Sequence, residues 1–404
     1  MTANAGYHAY ATGDVLTAAQ VQYNLQNQTV MYFATTTARD AALTGAILVA
    51  GMVSYTPATG VMYYNGTAWT AVGSTIPTSY GFTAGKNKII NGDFGIWQRG
   101  TSFSPTTVTW TYTSDRFQCY YGFSAGTATV ARQTFTPGTA PVAGYEGLYY
   151  LRFTAATTGT SNFNIKQVIE NVQTFAGQTV TFSFWAKSSG SRNIDIFIRQ
   201  NFGSGGSASV DSTVSTITTT TAWQRFTYTT TLASISGKTI GTNSGLEIWP
   251  ATSATVTGGE TVDFWGWQVE AGSVATAFQT ATGTLQGELA ACQRYFMTYG
   301  GSAGQNFATG QAYSTTQAWQ FNIALPVTMR VSPSITILSA ASDFYLSSSS
   351  ASNIVAATVV AQAGDISTTT GALRATVASG LVAGNATGLY AVNANAKIQL
   401  SSEL

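Results

Sequence analysis

The chain has 404 residues, room for two or three domains, and only 8% of them are charged, against about 25% in an ordinary soluble protein. Its formal net charge is +1 and its 17 basic residues are scattered, with Lys86 and Lys88 the nearest to a pair, which argues against a nucleic-acid partner. The only histidine is His8, so Ser-His-Asp, Cys-His and ordinary zinc chemistry are excluded from the body of the chain on inventory alone. Threonine, serine, glycine and aromatic residues fill the composition instead. Threonine and aromatic side chains suit pleated, half-buried surfaces, and 41 glycines supply tight turns and close backbone approaches. The fold class is therefore all-β.

Taken in chain order, the first element is a helix over residues 13 to 33. Thr17 caps it with Gln20 three residues on, Leu16 and Val21 stand at the staple positions, and Val21, Leu25 and Gln28 follow at helical spacing. A helix of about three turns is marginal by itself. Val21, Leu25 and Tyr32 are therefore expected to be covered by copies of the chain or by another protein. One more helical turn is predicted over 36 to 43. Gly51 to Val72 then reads as a three-stranded meander turning at Asn65-Gly66, too small for a core of its own. The helix occupies residues 1–33, the meander 34–80, and 81–86 closes a Gly/Ser/Thr/Pro-rich linker that starts at residue 73.

Residues 87–283 carry period-two alternation: Tyr149, Leu151 and Phe153; Val180, Phe182 and Phe184; Ile194, Ile196 and Ile198, each interleaved with residues of the other face. This predicts an antiparallel sandwich. A short helix capped by Thr284 follows over 284 to 294. Residues 284–404 return to strands, with Trp319, Phe321, Ile323 and Leu325 alternating up to Pro326, and predict a second, smaller sandwich. Cys119 and Cys292 make no disulfide framework and are expected to be free and buried. No basic-then-apolar leader opens the chain, and the longest apolar run, Ala41 to Val53, is broken by Thr44, Gly45 and Gly51; membrane insertion is not expected.

One set of motifs resembles a known family. Asn91-Gly-Asp-Phe-x-Ile-Trp-Gln-Arg-Gly100 and Ser114-Asp-Arg-Phe117 are followed by Phe184-Trp-Ala-Lys187 and Trp223-Gln-Arg-Phe226, then by Trp267-Gln-Val-Glu270-x-Gly272 and Cys292-Gln-Arg-Tyr295. Together they are similar to a domain common in bacteriophage tail fibres and related virion adhesins. The start, from Gly13-Asp-Val-Leu to Ala38-Arg-Asp40, is similar to N-terminal segments of phage fibre proteins. The resemblance implies jelly-roll sandwiches like those of carbohydrate-binding modules and a trimeric fibre on the virion, made in the host cytoplasm. Other virion proteins would hold it through its N-terminus, and host surface glycan would be the ligand at the far end. Similar jelly rolls often hold a structural calcium near the first and last strands, where Asp93 and Asp263 stand, but no carboxylate follows Phe94 directly and aspartates satisfied within their turns are the alternative; no other cofactor is expected.

Sugars present C–H faces that stack on exposed aromatic rings flanked by polar groups. The candidate platforms are Trp249, Tyr120, Tyr121 and Trp185, with Phe197 on the same polar phase, and Tyr299, Phe307, Tyr313 and Tyr345 in the last domain. Trp97, Arg99, Asp115, Arg116, Trp267 and Arg294 are expected to be architectural, with Arg99 and Asp115 as an ion pair. A glycosidase would need two carboxylates across a cleft. Asp195, Asp211, Glu247, Glu260, Asp263 and Glu270 could supply them, but the sequence pairs none. The expected function is thus a non-enzymatic receptor-binding fibre. A structural head, neck or decoration fibre and a capsule depolymerase are the alternatives.

Overall fold

The computed structural model describes residues 30–44, 48, 50–72, 84–104, 109–121, 127–142, 145–156, 162–252 and 256–404. The chain divides into two compact units, residues 1–81 and 82–404. In the first, β1 (Met31–Tyr32), α1 (Thr36–Ala42), β2 (Val53–Thr56), β3 (Gly60–Tyr64) and β4 (Trp69–Ala71) form a small sheet in that order with one short helix. The Thr35 hydroxyl caps α1 by accepting the Ala38 amide at 3.1 Å. The β3–β4 turn closes because the Asn65 side chain accepts the amides of Thr67 and Ala68 while Gly66 takes φ 100°. The helix expected over 13 to 33, with Val21 and Leu25, falls outside the described residues except at its end. There the expectation is corrected: Met31–Tyr32 is a strand running parallel to Ser54–Tyr55. Tyr32 stacks on Tyr55 and is 68% exposed.

The second unit holds both sandwiches. The first is built from β5 (Ser102–Phe103), β6 (Thr111–Tyr112), β7 (Phe117–Tyr121), β8 (Ala128–Thr134), β9 (Tyr149–Ala155), β10 (Phe163–Glu170), β11 (Thr179–Ser188), β12 (Arg192–Asn201), β13 (Val210–Asp211), β14 (Ser215–Thr219), β15 (Gln224–Thr231), β16 (Gly245–Thr252) and β17 (Thr261–Ala271). Among the described residues they make a seven-stranded sheet, β13-β12-β16-β10-β7-β6 with β14 beside β12, and a six-stranded sheet, β15-β11-β17-β9-β8-β5. The predicted alternation sends Phe117, Phe153, Phe182, Phe184 and the three isoleucines of β12 into one core between the sheets. Residues 84–86, assigned to the linker, instead belong to the sandwich: Gly85 donates to the Ala281 carbonyl and Lys86 lies 3.2 Å from Glu270.

One irregularity shapes this sandwich. In Trp265-Gly266-Trp267 strict alternation would put both indoles on the same face. The β11–β17 register instead slips between Ser183 and Trp185, and Gly266 takes φ 65°. This glycine bulge turns Trp267 into the inter-sheet core and leaves Trp265 on the outer face. A Cβ at Gly266 would stand 2.6 Å from the Trp185 ring, so close packing as well as φ demands glycine there.

The second sandwich follows α2 (Leu285–Gln293) and contains β18 (Phe296–Gly300), β19 (Asn306–Ala312), β20 (Gln317–Ala324), β21 (Ser334–Ile337), β22 (Phe344–Ser348), β23 (Ile354–Val355), β24 (Thr358–Ala361), β25 (Thr370–Thr376), β26 (Ala386–Ala391) and β27 (Lys397–Ser401). A three-stranded sheet, β18-β27-β21, packs its apolar face on a seven-stranded one, β23-β22-β26-β19-β20-β25-β24. The run from Tyr390 to Leu400 is two strands, because the Asn393 side chain accepts the Asn395 amide and turns the chain between them. Thr284 caps α2 as expected, and Cys119 and Cys292 are both free and buried.

The two sandwiches meet at a buried charge cluster. Glu403, just beyond β27, accepts from Arg99 at 2.9 Å and from Arg116. Arg99 lies flat over the Phe296 ring at 3.4 Å and Arg116 over the Tyr295 ring at 3.5 Å. Asp115 accepts the Gln98 amide and stands 3.8 Å from Arg99, confirming the expected ion pair. Arg294 and the Tyr295 hydroxyl both bind Glu170 on β10, and Arg330 holds the carbonyls of Ser402 and Glu403. Burial raises the Asp115 carboxyl above its ordinary value against the pull of Arg99; for Arg116 burial pulls the guanidinium down, but Glu403 together with Tyr112, Tyr295 and Cys292 brings it above its ordinary value.

Removing one partner of a buried ion pair costs about 3–5 kcal/mol. Glu403→Gln is therefore expected to lower stability to urea by about that much, and adding Arg116→Met is expected to restore part of it. An unchanged unfolding midpoint for Glu403→Gln would contradict this account of the junction.

Candidate functional site

Each sheet of the first sandwich has one outer face, and the two are treated differently. The outer face of the six-stranded sheet is closed by the protein itself. Phe135, Tyr150, Trp185, Trp265 and Phe278 form a second apolar cluster there, with Tyr145 and Trp223 packed against it. A Cβ on Gly147 would meet the Trp265 indole at 2.7 Å, so the covering segment reaches this close only as glycine. Arg225 lies 4.7 Å above Trp185.

Among the described residues no such aromatic cluster covers the outer face of the seven-stranded sheet. The residues alternating with its core positions are Tyr120 on β7, Asn164 and Lys166 on β10, Asp195, Phe197 and Arg199 on β12, and Glu247 and Trp249 on β16. Phe197 and Trp249 are cross-strand partners with ring centroids 4.9 Å apart. Trp110, just before β6, meets Trp249 edge-on at 4.9 Å and Tyr120 at 5.5 Å. Trp110, Tyr120, Phe197 and Trp249 thus run across four strands as a continuous, half-buried aromatic row.

Polar groups hold this row in place. The Trp249 indole donates to Asn164 at 3.0 Å. The Lys166 ammonium sits 4.4 Å from the Trp110 ring and 3.2 Å from Glu247, which also accepts from Asn201 at 2.9 Å. Arg199 lies 5.0 Å from the Trp249 ring and makes two bonds to Asp211, at 2.7 and 2.9 Å. Burial lowers the proton affinity of Lys166, and Glu247 opposes the effect. These groups retain unused capacity. An ammonium has three donors, a guanidinium five, and a carboxylate about four acceptor sites. The face therefore offers fixed apolar rings beside fixed donors and acceptors, which is what the two sides of a pyranose require.

The other sequence candidates lie elsewhere. Tyr121 is on the core phase of β7, buried against Phe153. Trp185 is buried in the closed outer cluster, and Phe307 is buried against Phe344. Tyr299 is on the three-stranded sheet, its hydroxyl donating to the Ala324 carbonyl. Tyr313 and Tyr345 are on the outer face of the second sandwich. Trp97, Arg99, Asp115, Arg116, Trp267 and Arg294 stand in the core and the junction. Asp93 and Asp263 do not assemble a calcium site: Asp93 accepts from the Tyr145 hydroxyl and Asp263 is paired with Arg152 and Lys187. No group of three or more His, Cys, Asp or Glu that could hold a metal occurs among the described residues.

The carboxylates weighed for hydrolysis each have their own partner: Asp195 with Thr216, Asp211 with Arg199, Glu247 with Lys166, Glu260 with Arg192 and Glu270 with Lys86. Trp110, Asn164, Lys166 and Arg199 were not singled out by the sequence reading. The Trp110-Thr111-Tyr112 alternation ahead of Asp115-Arg116, and Arg199 two residues beyond Phe197, were the signals available.

Comparison with known proteins bears on this face. Residues 121–253 match a carbohydrate binding domain family, CBM_4_9. The match includes Lys166, Phe197, Arg199 and Trp249 but stops short of Trp110 and Tyr120. A solved carbohydrate-binding module of family 4 is 20% identical, with 45% of this chain and 98% of the module covered and a TM-score of 0.26. A family 61 module in complex with β-1,4-galactotriose is 12% identical, covering 46% of this chain and 99% of the module, TM-score 0.27. The enzymatically active domain of tailspike protein 4 of bacteriophage CBA120 is 13% identical, covering 46% of this chain and 21% of that one, TM-score 0.30. No curated protein matches the chain.

The two kinds of tryptophan should respond differently to truncation. Trp267→Ala is expected to cost about 3–5 kcal/mol, whereas Trp249→Ala, removing a half-buried ring at the surface, is expected to cost less than half as much. Thermal unfolding of the two variants checks this, and equal losses would place Trp249 in the core.

Proposed function

We propose that this protein is a non-enzymatic glycan-binding adhesin whose ligand lies along the aromatic row of Trp110, Tyr120, Phe197 and Trp249. The observation that carries the reading is the contrast between the two outer faces of one sandwich. The protein covers one with its own aromatic cluster and leaves on the other a row of rings edged by fixed polar groups. The match of residues 121–253 to a carbohydrate binding domain supports the same ligand class. The individual engagement of the six candidate carboxylates supports binding over hydrolysis.

The resemblance of the motif series to phage fibre adhesins supports a virion setting, with a homotrimer held to other virion proteins through the N-terminal unit. That unit exposes Val30, Tyr32, Tyr55, Val61 and Val72 around a sheet too small to bury them. In this setting weak individual contacts would be multiplied by three chains and several fibres.

A glycan array probed with the full chain tests the reading. Trp249→Ala and Phe197→Ala are each expected to weaken binding at least about tenfold, or 1.4 kcal/mol, with melting temperature lowered less than by Trp267→Ala. Binding that both variants leave intact would move the ligand off this face. Shortening of host polysaccharide on incubation with the pure protein would defeat the non-enzymatic assignment. Analytical ultracentrifugation is expected to give a species of three chains; a stable folded monomer would remove the trimer.

A further inference from the structure

The second sandwich carries its own open face, outside the residues that match the carbohydrate binding domain. Leu346, Leu389 and Ala318 point into its core, and the alternating positions point outward. Tyr345 on β22 and Tyr390 on β26 are cross-strand partners whose rings stack at 5.2 Å and 15°. Two strands further on, Trp319 of β20 stacks with Tyr313 at 5.0 Å and 4°. Phe321 stands between the pairs and lines two hollows, one of about 490 Å³ reaching Tyr390 and one of about 350 Å³ reaching Tyr313 and Trp319. None of the residues lining either hollow is charged; the polar ones are Ser347, Ser348, Ser349, Thr309 and Gln311, while the Thr387 hydroxyl is buried and accepts from Gln320.

Gly388 gives this face its shape. It lies buried in β26 under the Tyr390 ring, and a Cβ there would stand 2.6 Å from a ring carbon and 3.0 Å from the phenolic oxygen. Its backbone is not in the left-handed region, so a side chain is excluded by the ring and not by φ. The glycine lets the Tyr390 ring lie down along the sheet as a platform.

We infer that this face is a second saccharide site, for a neutral oligosaccharide. Two parallel-stacked ring pairs suit the C–H faces of pyranoses, hydroxyl and amide walls suit their hydroxyls, and the volumes fall within the range of small-ligand sites. The uncharged lining of both hollows sets it apart from the first groove, with its Lys166, Arg199, Asp195 and Glu247; the charge on this face is Arg374 of β25, across from Trp319. From β22 to β20 is three strand spacings, roughly 14 Å at about 4.8 Å each, so a ligand touching both stacks must be longer than one sugar ring.

The test uses the full chain carrying Trp249→Ala and Phe197→Ala, so that the first groove is weakened twice over, and follows tryptophan fluorescence and calorimetry with manno-, gluco- and galacto-tetraoses. At least one is expected to bind, with an affinity unchanged by added sodium chloride. Tyr390→Ala and Tyr313→Ala are each expected to weaken it at least about tenfold. Gly388→Ala is expected to weaken it with little change in melting temperature, because it lifts the platform ring without removing it. Binding by none of the three sugars, or binding that survives Tyr390→Ala with Tyr313→Ala, overturns the site. Self-association of the chain that Tyr390→Ala abolishes would assign the face to a contact between copies and overturn it equally. The Tyr390→Ala chain with Trp249 and Phe197 intact reads the first groove alone, so failure of one site does not decide the other.

Discussion

One carboxylate shared by two guanidiniums fixes the architecture of the larger unit. Glu403 follows the last strand of the second sandwich, and Arg99 and Arg116 come from the turns ahead of β5 and β7 of the first. All three side chains are at least nine-tenths buried. Such a cluster adds little net stability, because desolvation offsets most of the attraction, but leaving any member unpaired is expensive. It therefore works as a registration device: only a docking that brings Glu403 between Arg99 and Arg116 avoids a bare buried charge. The aromatic rings of Tyr295 and Phe296, under the guanidiniums, narrow the geometry further. Arg116 also takes φ 73°, an unfavourable backbone state for a residue with a side chain, held by the bonds it makes.

This explains why so much of the recognisable sequence is remote from any candidate site. Asn91 turns the chain at φ 59° and satisfies Ile96 and Asp115 through its amide. Gln98 ties Asp115 to the Phe296 carbonyl. Arg294 and Tyr295 bind Glu170. Gln268 and Glu270 pin the segment around Thr276. These residues are amides, carboxylates and guanidiniums because the turns and the junction they serve are buried, and buried backbone groups must be satisfied.

The open faces follow a different rule. In the first sandwich the aromatic row is charged at its edges, with each charge already paired in place, so ordering those side chains costs little when a ligand arrives. In the second, the hollows are lined without charge, Arg374 stands across from Trp319, and glycine clears space for a ring.

Much of this was legible from residue order. Low charge, abundant threonine and period-two runs such as Ile194-Ile196-Ile198 forced an all-β sandwich, because those patterns bury one face and wet the other. Thr284 marked its helix through cap chemistry, and the expected Arg99–Asp115 pair is present at 3.8 Å. What residue order could not decide was which polar-phase aromatic stays open. Trp185 and Phe197 occupy equivalent phases of successive strands, which the fold places in different sheets, and one is roofed by Phe135, Tyr150 and Phe278 while the other lies outside that cluster. That outcome rests on covering segments far away in the chain and on a one-residue slip at Gly266, and neither is a local property. The partners of Glu403 are likewise some three hundred residues away in sequence, and only the folded chain brings them together.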